Sequence, residues 1–127
     1  MLKMLPVFIA AAVAASAVQA QAPDREAQLA QELGDRVAGE PVRCINYRQV
    51  RNTRIVNDTA ILFRIGSAIF VNRPRSGAET LDDSFALVNE RSDGRLCSGD
   101  TLQLTEGMGI TRMIVAGDFV PYRRAEN

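Results

Sequence analysis

The sequence predicts a small all-β protein: an antiparallel sheet, sandwich or partly open barrel of six to seven short strands, with one short N-terminal helix after a signal peptide. Two observations carry this prediction. Residues 60–65 and 68–72 are rich in branched and aromatic side chains, and the Gly66-Ser67 pair between them is typical of a tight hairpin turn. Farther along, residues 101–105 alternate polar residues with leucine, the pattern of a strand with one buried face.

A two-residue turn at Gly66-Ser67 sets the register of the hairpin. The expected pairs are Ile65 with Ala68, Phe63 with Phe70, and Ile61 with Asn72. Because side chains alternate along a strand, the two phenylalanines share one face. The opposite face, with Leu62, Ile69 and Val71, is largely apolar as well. A sheet that is apolar on both faces must be covered on both faces or closed into a barrel.

Turn signals place the other strands. Asn57-Asp58 indicates a turn between a strand at residues 53–56 and the hairpin, and Ser92-Asp93-Gly94 indicates a turn before residues 95–97. Residues 73–79 have the composition of a loop. The remaining predicted strands cover residues 84–88, 101–105, 111–116 and 119–122.

Residues 1–22 have the features of a signal peptide. Lys3 gives a positive start, residues 5–18 form an apolar run of small residues, and either of two small-residue cleavage sites follows. The mature chain would begin at Gln21 or at Pro23. The alternative is a membrane anchor, but the apolar run is short for a membrane span and no charged stop-transfer patch follows it. We therefore expect a periplasmic or secreted protein with no membrane span after cleavage.

Cleavage would leave about 105 residues, which is enough for one small domain. The predicted boundaries are an N-terminal helix and linker at 23–40, a single β domain at 41–123 and a polar tail at 124–127.

The helix is predicted over residues 24–38. Asp24 can cap its first turn, Gly34 weakens it, and Gly39 followed by Pro41 ends it. Its apolar stripe is thin and comprises Leu29, Ala30, Leu33 and Val37. We expect such a helix to dock loosely on the β domain.

The chain has two cysteines, Cys44 and Cys97. Two cysteines in a small exported protein usually pair, so we predict a disulfide between them. The alternative, a redox or thiol site, does not match the spacing, because redox motifs of the Cys-x-x-Cys type have only two residues between their cysteines.

The remaining side-chain chemistry argues against an enzyme. The chain has no histidine and its one lysine is Lys3, so a serine or cysteine nucleophile lacks its usual bases. Histidine metal sites are excluded, and two cysteines alone do not form a structural zinc site. No phosphate loop or dinucleotide fingerprint is present. Asp82 and Asp83 are adjacent and fit a solvated turn better than a catalytic pair. We expect no enzymatic activity, no metal and no cofactor.

Charge is unevenly distributed along a nearly neutral chain. After residue 22, fourteen arginines oppose fifteen acids, a net charge of −1, which argues against a nucleic-acid partner. Residues 43–75 carry a local charge of +6 (seven arginines, one acid), and residues 76–106 carry −5 (seven acids, two arginines). The favoured interpretation is that these segments neutralise each other across strands. The alternative is that Arg48, Arg51 and Arg54 bind an anion such as phosphate, carboxylate or an envelope lipid.

One block of residues resembles a known family. The matching positions are Cys44, Ile45, Arg48, Val50, Arg51, Thr53, Arg54, Val56, Asp58, Ile61–Phe63, Asn72-Arg73, Leu96–Asp100 and Phe119–Tyr122. Across most of residues 43–122 the chain is similar to short exported proteobacterial proteins that share a domain of unknown function. The resemblance implies export and a small β domain but no activity. Similar proteins usually carry further cysteines, after the Asn-Arg pair and near the end, which this chain lacks.

Together these features predict a disulfide-bonded, exported β domain that is a non-catalytic interaction or structural protein of the cell envelope. Its partner would be an unidentified envelope protein. The alternative function is binding of a small anionic ligand through the arginine patch.

Overall fold

The computed structural model describes residues 3–7, 9–12, 24–89, 91, 93–107, 109 and 111–125. They form one α-helix and ten strands in three antiparallel sheets, which confirms the all-β class with a short helix near the N-terminus. The elements are α1 (Arg25–Leu33), β1 (Val37–Ala38), β2 (Cys44–Asn46), β3 (Asn52–Val56), β4 (Ala60–Ile65), β5 (Ala68–Asn72), β6 (Ala86–Asn89), β7 (Arg95–Cys97), β8 (Thr101–Thr105), β9 (Thr111–Val115) and β10 (Phe119–Arg123).

The predicted signal peptide falls largely outside the described residues, as do residues 126–127 of the polar tail. In the described part of the chain, no helix is long and apolar enough to cross a membrane.

The largest sheet, here called the main sheet, has the strand order β1-β10-β5-β4-β3. Its centre is the predicted hairpin of β4 and β5, and the predicted register is confirmed. The observed pairs are Ile65 with Ala68, Phe63 with Phe70, and Ile61 with Asn72. The predicted turn at Asn57-Asp58 joins β3 to β4, and Asp58 there adopts a positive φ of 59°.

Two smaller sheets complete the domain. Strands β2 and β7 form a two-stranded ribbon, in which Cys44 lies directly opposite Cys97. Strands β6, β8 and β9 form a three-stranded sheet in the order β6-β8-β9. The strand count exceeds the predicted six to seven because segments as short as Val37–Ala38 also pair.

Buried side chains form two clusters, one associated with each face of the β4–β5 hairpin. The larger cluster joins all three sheets and comprises Ile45, Ile61, Phe63, Leu81, Leu96, Leu102, Leu104, Ile114, Ala116 and Phe119. The smaller cluster lies beneath the helix and comprises Leu29, Leu33, Val56, Ala60, Leu62, Ile69 and Val71. The hairpin is therefore covered on both faces, as its two apolar faces require.

The helix differs from its prediction. It ends at Leu33, because Gly34 adopts a φ of 62° and its N–H bonds to the Ala30 carbonyl, which terminates the helical turn. Val37, expected on the apolar face of the helix, belongs to β1 and is 58% exposed. The predicted cap at Asp24 is confirmed, since its carboxylate accepts the N–H groups of Glu26 and Ala27. With Leu29 3% and Leu33 7% exposed, the helix is docked firmly on the main sheet.

A buried side chain ties β5 to the segment before β10. Asn72 is fully buried; its amide donates to the Gly117 carbonyl at 2.8 Å and accepts the Gly117 N–H at 2.9 Å. Only glycine fits at position 117, because a Cβ there would lie 2.2 Å from the Arg73 carbonyl oxygen. The Asn72 side chain thus satisfies both backbone polar groups of Gly117.

Candidate functional site

A groove of about 450 Å³ lies between helix α1, strand β3 and strand β6. We call it the edge groove. Its lining residues are Gln28, Glu32, Tyr47, Thr53, Arg54, Ile55, Val56, Asp83, Phe85, Ala86 and Leu87.

Both strands that line the edge groove are sheet edges. Strand β3 ends the main sheet and strand β6 ends the three-stranded sheet. In the described part of the chain neither outer edge pairs with another strand. An edge strand carries a row of backbone N–H and C=O groups that its one neighbour does not use. The groove can therefore offer main-chain donors and acceptors to an extended polypeptide.

The two faces of β3 give the groove walls of different chemistry. Arg54 lies on the helix side and forms an ion pair with Glu32 at 3.3 Å. Ile55 lies on the other side, where it packs against the larger core cluster. Tyr47, on the 3₁₀ turn that follows β2, packs edge-to-face on Phe63 with ring centroids 6.4 Å apart. The helix-side wall therefore carries a charged pair, and the opposite wall carries apolar and aromatic side chains.

The loop before β6 brings Asp83 and Phe85 to the same groove. The Asp83 backbone N–H donates to the side-chain oxygen of Asn57 at 2.7 Å, which holds this loop beside the β3–β4 turn. The Arg112 guanidinium lies 5.9 Å from the centre of the Phe85 ring. These contacts fix the position of the groove wall.

The adjacent carboxylates Asp82 and Asp83 have separate roles. Asp82 accepts hydrogen bonds from the backbone N–H and hydroxyl of Ser84, and these bonds lower the pKa of the Asp82 carboxyl. Asp82 therefore closes a solvated turn, as expected. Of the two carboxylates, Asp83 lines the groove and Asp82 does not. Among the described residues, no three His, Cys, Asp or Glu side chains come together as a metal site.

The predicted disulfide joins Cys44 to Cys97 with their Cα atoms 4.0 Å apart. It links the opposite residues of the ribbon and is half-buried. A stable disulfide is typical of proteins outside the reducing cytoplasm.

The three arginines predicted as an anion patch lie on different parts of the surface. Arg54 lines the edge groove and contacts Glu32, whereas Arg48 lines a smaller pocket beside the ribbon. Arg51 precedes β3, is exposed and lines neither cavity. The edge groove and the smaller pocket are thus each lined by one of the three arginines.

The basic and acidic segments do not neutralise each other through direct ion pairs in the described residues. From the basic segment, Arg73 binds Glu26 of the helix through two contacts of 2.8 and 2.9 Å. The hydrogen bonds from Arg73 hold the pKa of the Glu26 carboxyl below its usual range. The remaining pairs in that segment are Arg54 with Glu32 and Arg75 with Asp118.

The acidic segment contains an arginine that forms ion pairs with two of its own carboxylates. Arg91 binds Asp93 at 2.6 Å and Asp100 at 3.1 Å. Its hydrogen bonds to Asp93 are the main reason why the pKa of that carboxyl falls to about 2. In the described residues, the ion pairs of the basic segment are therefore made with carboxylates outside both segments, and those of Arg91 are made within the acidic segment. Neutralisation between the two segments stays a prediction.

Comparisons with protein-family models, curated proteins and solved structures found no match to this chain. The resemblance to exported proteins of unknown function stays a prediction.

Proposed function

We propose that the protein is a non-catalytic interaction domain of the cell envelope that binds an extended segment of a partner protein in the edge groove. The observation that supports this function is the groove itself, which is lined by two strands whose outer edges have no neighbour in the described residues. Interaction by strand addition needs such an edge, because the added strand bonds to its free backbone groups.

The side chains of the groove would supply specificity. Successive side chains of an added strand point to opposite faces, so they would meet the two walls in turn. Residues on one side would meet Glu32 and Arg54, and those on the other would meet Tyr47 and Phe85. A partner segment that alternates polar or charged residues with apolar ones suits this arrangement.

The proposed location is the periplasm or the extracellular space. The disulfide supports an oxidising compartment, and the predicted signal peptide gives a route to it. The proposal that the domain is not an enzyme rests on its side-chain chemistry, since the full sequence contains no histidine and only one lysine.

The alternative function, binding of an anion by Arg48, Arg51 and Arg54 together, has less support. Arg48 and Arg54 line different cavities, Arg51 lines neither of them, and the Arg54 guanidinium is already in contact with Glu32.

Site-specific photo-cross-linking in cells tests the proposal. A photoreactive amino acid placed at Thr53 or Ala86 lies in the edge groove, and the matched control at Thr111 is exposed on β9, which does not line the groove. We expect a protein adduct of defined mass from both groove positions and none from Thr111. The partner segment, once identified and added to the purified domain, should slow amide hydrogen exchange in β3 or β6 without changing it in the central strand β8.

Three results would contradict the proposal. Equal adducts at Thr111 would indicate non-specific collision, and the absence of adducts at Thr53 and Ala86 would show that the groove has no partner. An adduct between two copies of this chain would identify the groove as a self-association surface.

A further inference from the structure

We propose that Arg48 and Arg95 form a binding site for a phosphate group on the outer face of the disulfide-bonded ribbon. Both side chains line a pocket of about 310 Å³ that shares no lining residue with the edge groove. Its full lining is Cys44, Ile45, Asn46, Arg48, Asp93, Gly94 and Arg95.

The ribbon places these groups together. Strands β2 and β7 pair so that Asn46 faces Arg95 and Cys44 faces Cys97. Side chains alternate along a strand, so these four residues share the outer face while Ile45 and Leu96 are buried beneath. The disulfide holds the two strands at this register, and the position of Arg95 relative to β2 is thereby fixed.

Arg48 reaches the same pocket from the 3₁₀ turn Tyr47–Gln49. Its backbone N–H donates to the Asn46 side chain at 3.1 Å, and the Tyr47 N–H donates to the Gly94 carbonyl at 2.8 Å. The Arg48 side chain lies directly against Gly94, where an added Cβ would be 2.6 Å from the Arg48 Nε. Gly94, at a φ of 77°, therefore leaves the space that the guanidinium occupies. A side chain that is already positioned loses less entropy when it binds a ligand.

The charge around the pocket favours an anion. Asp93 is the one acid in the lining, and its carboxylate is held by Arg91 at 2.6 Å and by the Arg95 backbone N–H at 3.1 Å. Among the described residues, no carboxylate forms an ion pair within 4 Å with the guanidinium of Arg48 or Arg95. Their side-chain donors can therefore serve a ligand.

Two guanidinium groups suit a phosphate better than a carboxylate. A carboxylate has two oxygens, which one arginine can satisfy with two parallel hydrogen bonds. A phosphate group presents three or more acceptor oxygens, so a second arginine has acceptors left to bind. The phosphate could belong to a free small molecule or to the headgroup of an envelope lipid.

The test compares the wild-type protein with Arg48→Ala, Arg95→Ala and the matched control Arg51→Ala, in which an exposed arginine outside the pocket is removed. Inorganic phosphate is titrated while backbone amide signals are followed by NMR. We expect saturable shifts at Gly94 and Arg95, a dissociation constant at least about tenfold higher in either pocket variant, and no change in the control. Arg48→Lys should also weaken binding, because lysine keeps the charge but lacks the forked geometry.

Sedimentation with vesicles distinguishes the source of the phosphate group. Binding to phosphatidylglycerol but not phosphatidylcholine vesicles, lost in both pocket variants, would identify a lipid headgroup as the ligand. Shifts of the amide signals with inorganic phosphate, without vesicle binding, would identify a free ligand. Two results would contradict the proposed site. One is the absence of both a saturable shift with phosphate and binding to vesicles. The other is a loss of affinity in Arg51→Ala equal to that in the pocket variants. Far-ultraviolet circular dichroism of each variant checks that the fold is retained.

Discussion

The buried amide of Asn72 should be among the most sensitive positions in the domain. Replacement by alanine removes both hydrogen bonds to Gly117 and leaves a buried N–H and a buried C=O without partners. An unsatisfied buried backbone group costs about 1–3 kcal/mol, so the two together should cost about 2–5 kcal/mol after partial relaxation. We take about 3 kcal/mol as the expected loss, a large share of the roughly 5–15 kcal/mol that stabilises a typical domain.

The assay is urea unfolding of Asn72→Ala beside the control variant Asn89→Ala. Asn89 is only half-buried, and its two side-chain hydrogen bonds are exposed to solvent: its amide donates to the Arg95 carbonyl at 3.4 Å, and its side-chain oxygen accepts the Arg91 N–H at 3.0 Å. Its removal should therefore cost under about 1 kcal/mol. A loss of about 3 kcal/mol corresponds to a melting temperature lower by roughly 12–24 °C in a domain of this size. The slope of free energy against urea should stay unchanged, because the fold is the same.

A loss of stability for Asn72→Ala no larger than that for Asn89→Ala would refute this prediction. Such a result would mean that water or a shifted backbone satisfies Gly117 at no cost.

Two further predictions concern the disulfide and pH. Cys44→Ser should destabilise the domain by about 4 kcal/mol, which is the chain-entropy value for a bridge between residues 53 positions apart. Adding Cys97→Ser should cost little more, because the bond is already broken. Two additive losses in urea unfolding would contradict this prediction. The Asp93 carboxyl should titrate with a pKa of about 2 in NMR spectra. The ionised carboxylate stabilises the fold above the usual aspartate pKa of about 3.9, and this stabilisation should be lost as the pH falls towards 2. Arg91→Ala should move that titration back towards the usual value, and an unchanged midpoint would show that Arg91 is not the cause.

The central hairpin could be predicted in full because its structure is local. A two-residue turn at Gly66-Ser67 leaves one register that places both phenylalanines on the same face. The same applies to β7 and β8, whose observed limits, Arg95–Cys97 and Thr101–Thr105, match the predicted ranges. In each case a turn signal stands beside a strand pattern, and no distant contact is needed to define the strand.

The helix end could not be read correctly from periodicity. Leu29 and Leu33 are followed four residues later by Val37, so the apolar spacing continues past the true end of the helix. Gly34 stops it there by adopting a positive φ. Val37 then joins β1 because β10 offers it a partner, and that partner lies more than eighty residues away in the sequence.

The edge groove could not be predicted because it depends on strand order. Nothing in residues 52–56 or 86–89 shows that either strand ends its sheet. The pocket of Arg48 and Arg95 is different, since the sequence held a signal for it. A disulfide between Cys44 and Cys97 in an antiparallel pair of strands places Asn46 opposite Arg95, and Arg48 follows two residues later.

The 3₁₀ turn after β2 connects both candidate sites to the disulfide. Tyr47 lines the edge groove and packs on buried Phe63, and the next residue, Arg48, lines the pocket that it shares with Arg95. The turn begins directly after β2, which Cys44 holds against β7. A covalent bond near the start of this turn and an aromatic contact within it therefore restrict the motion of both side chains. Because a positioned side chain loses less entropy on binding, both proposals predict that the disulfide favours binding at its site as well as stabilising the fold.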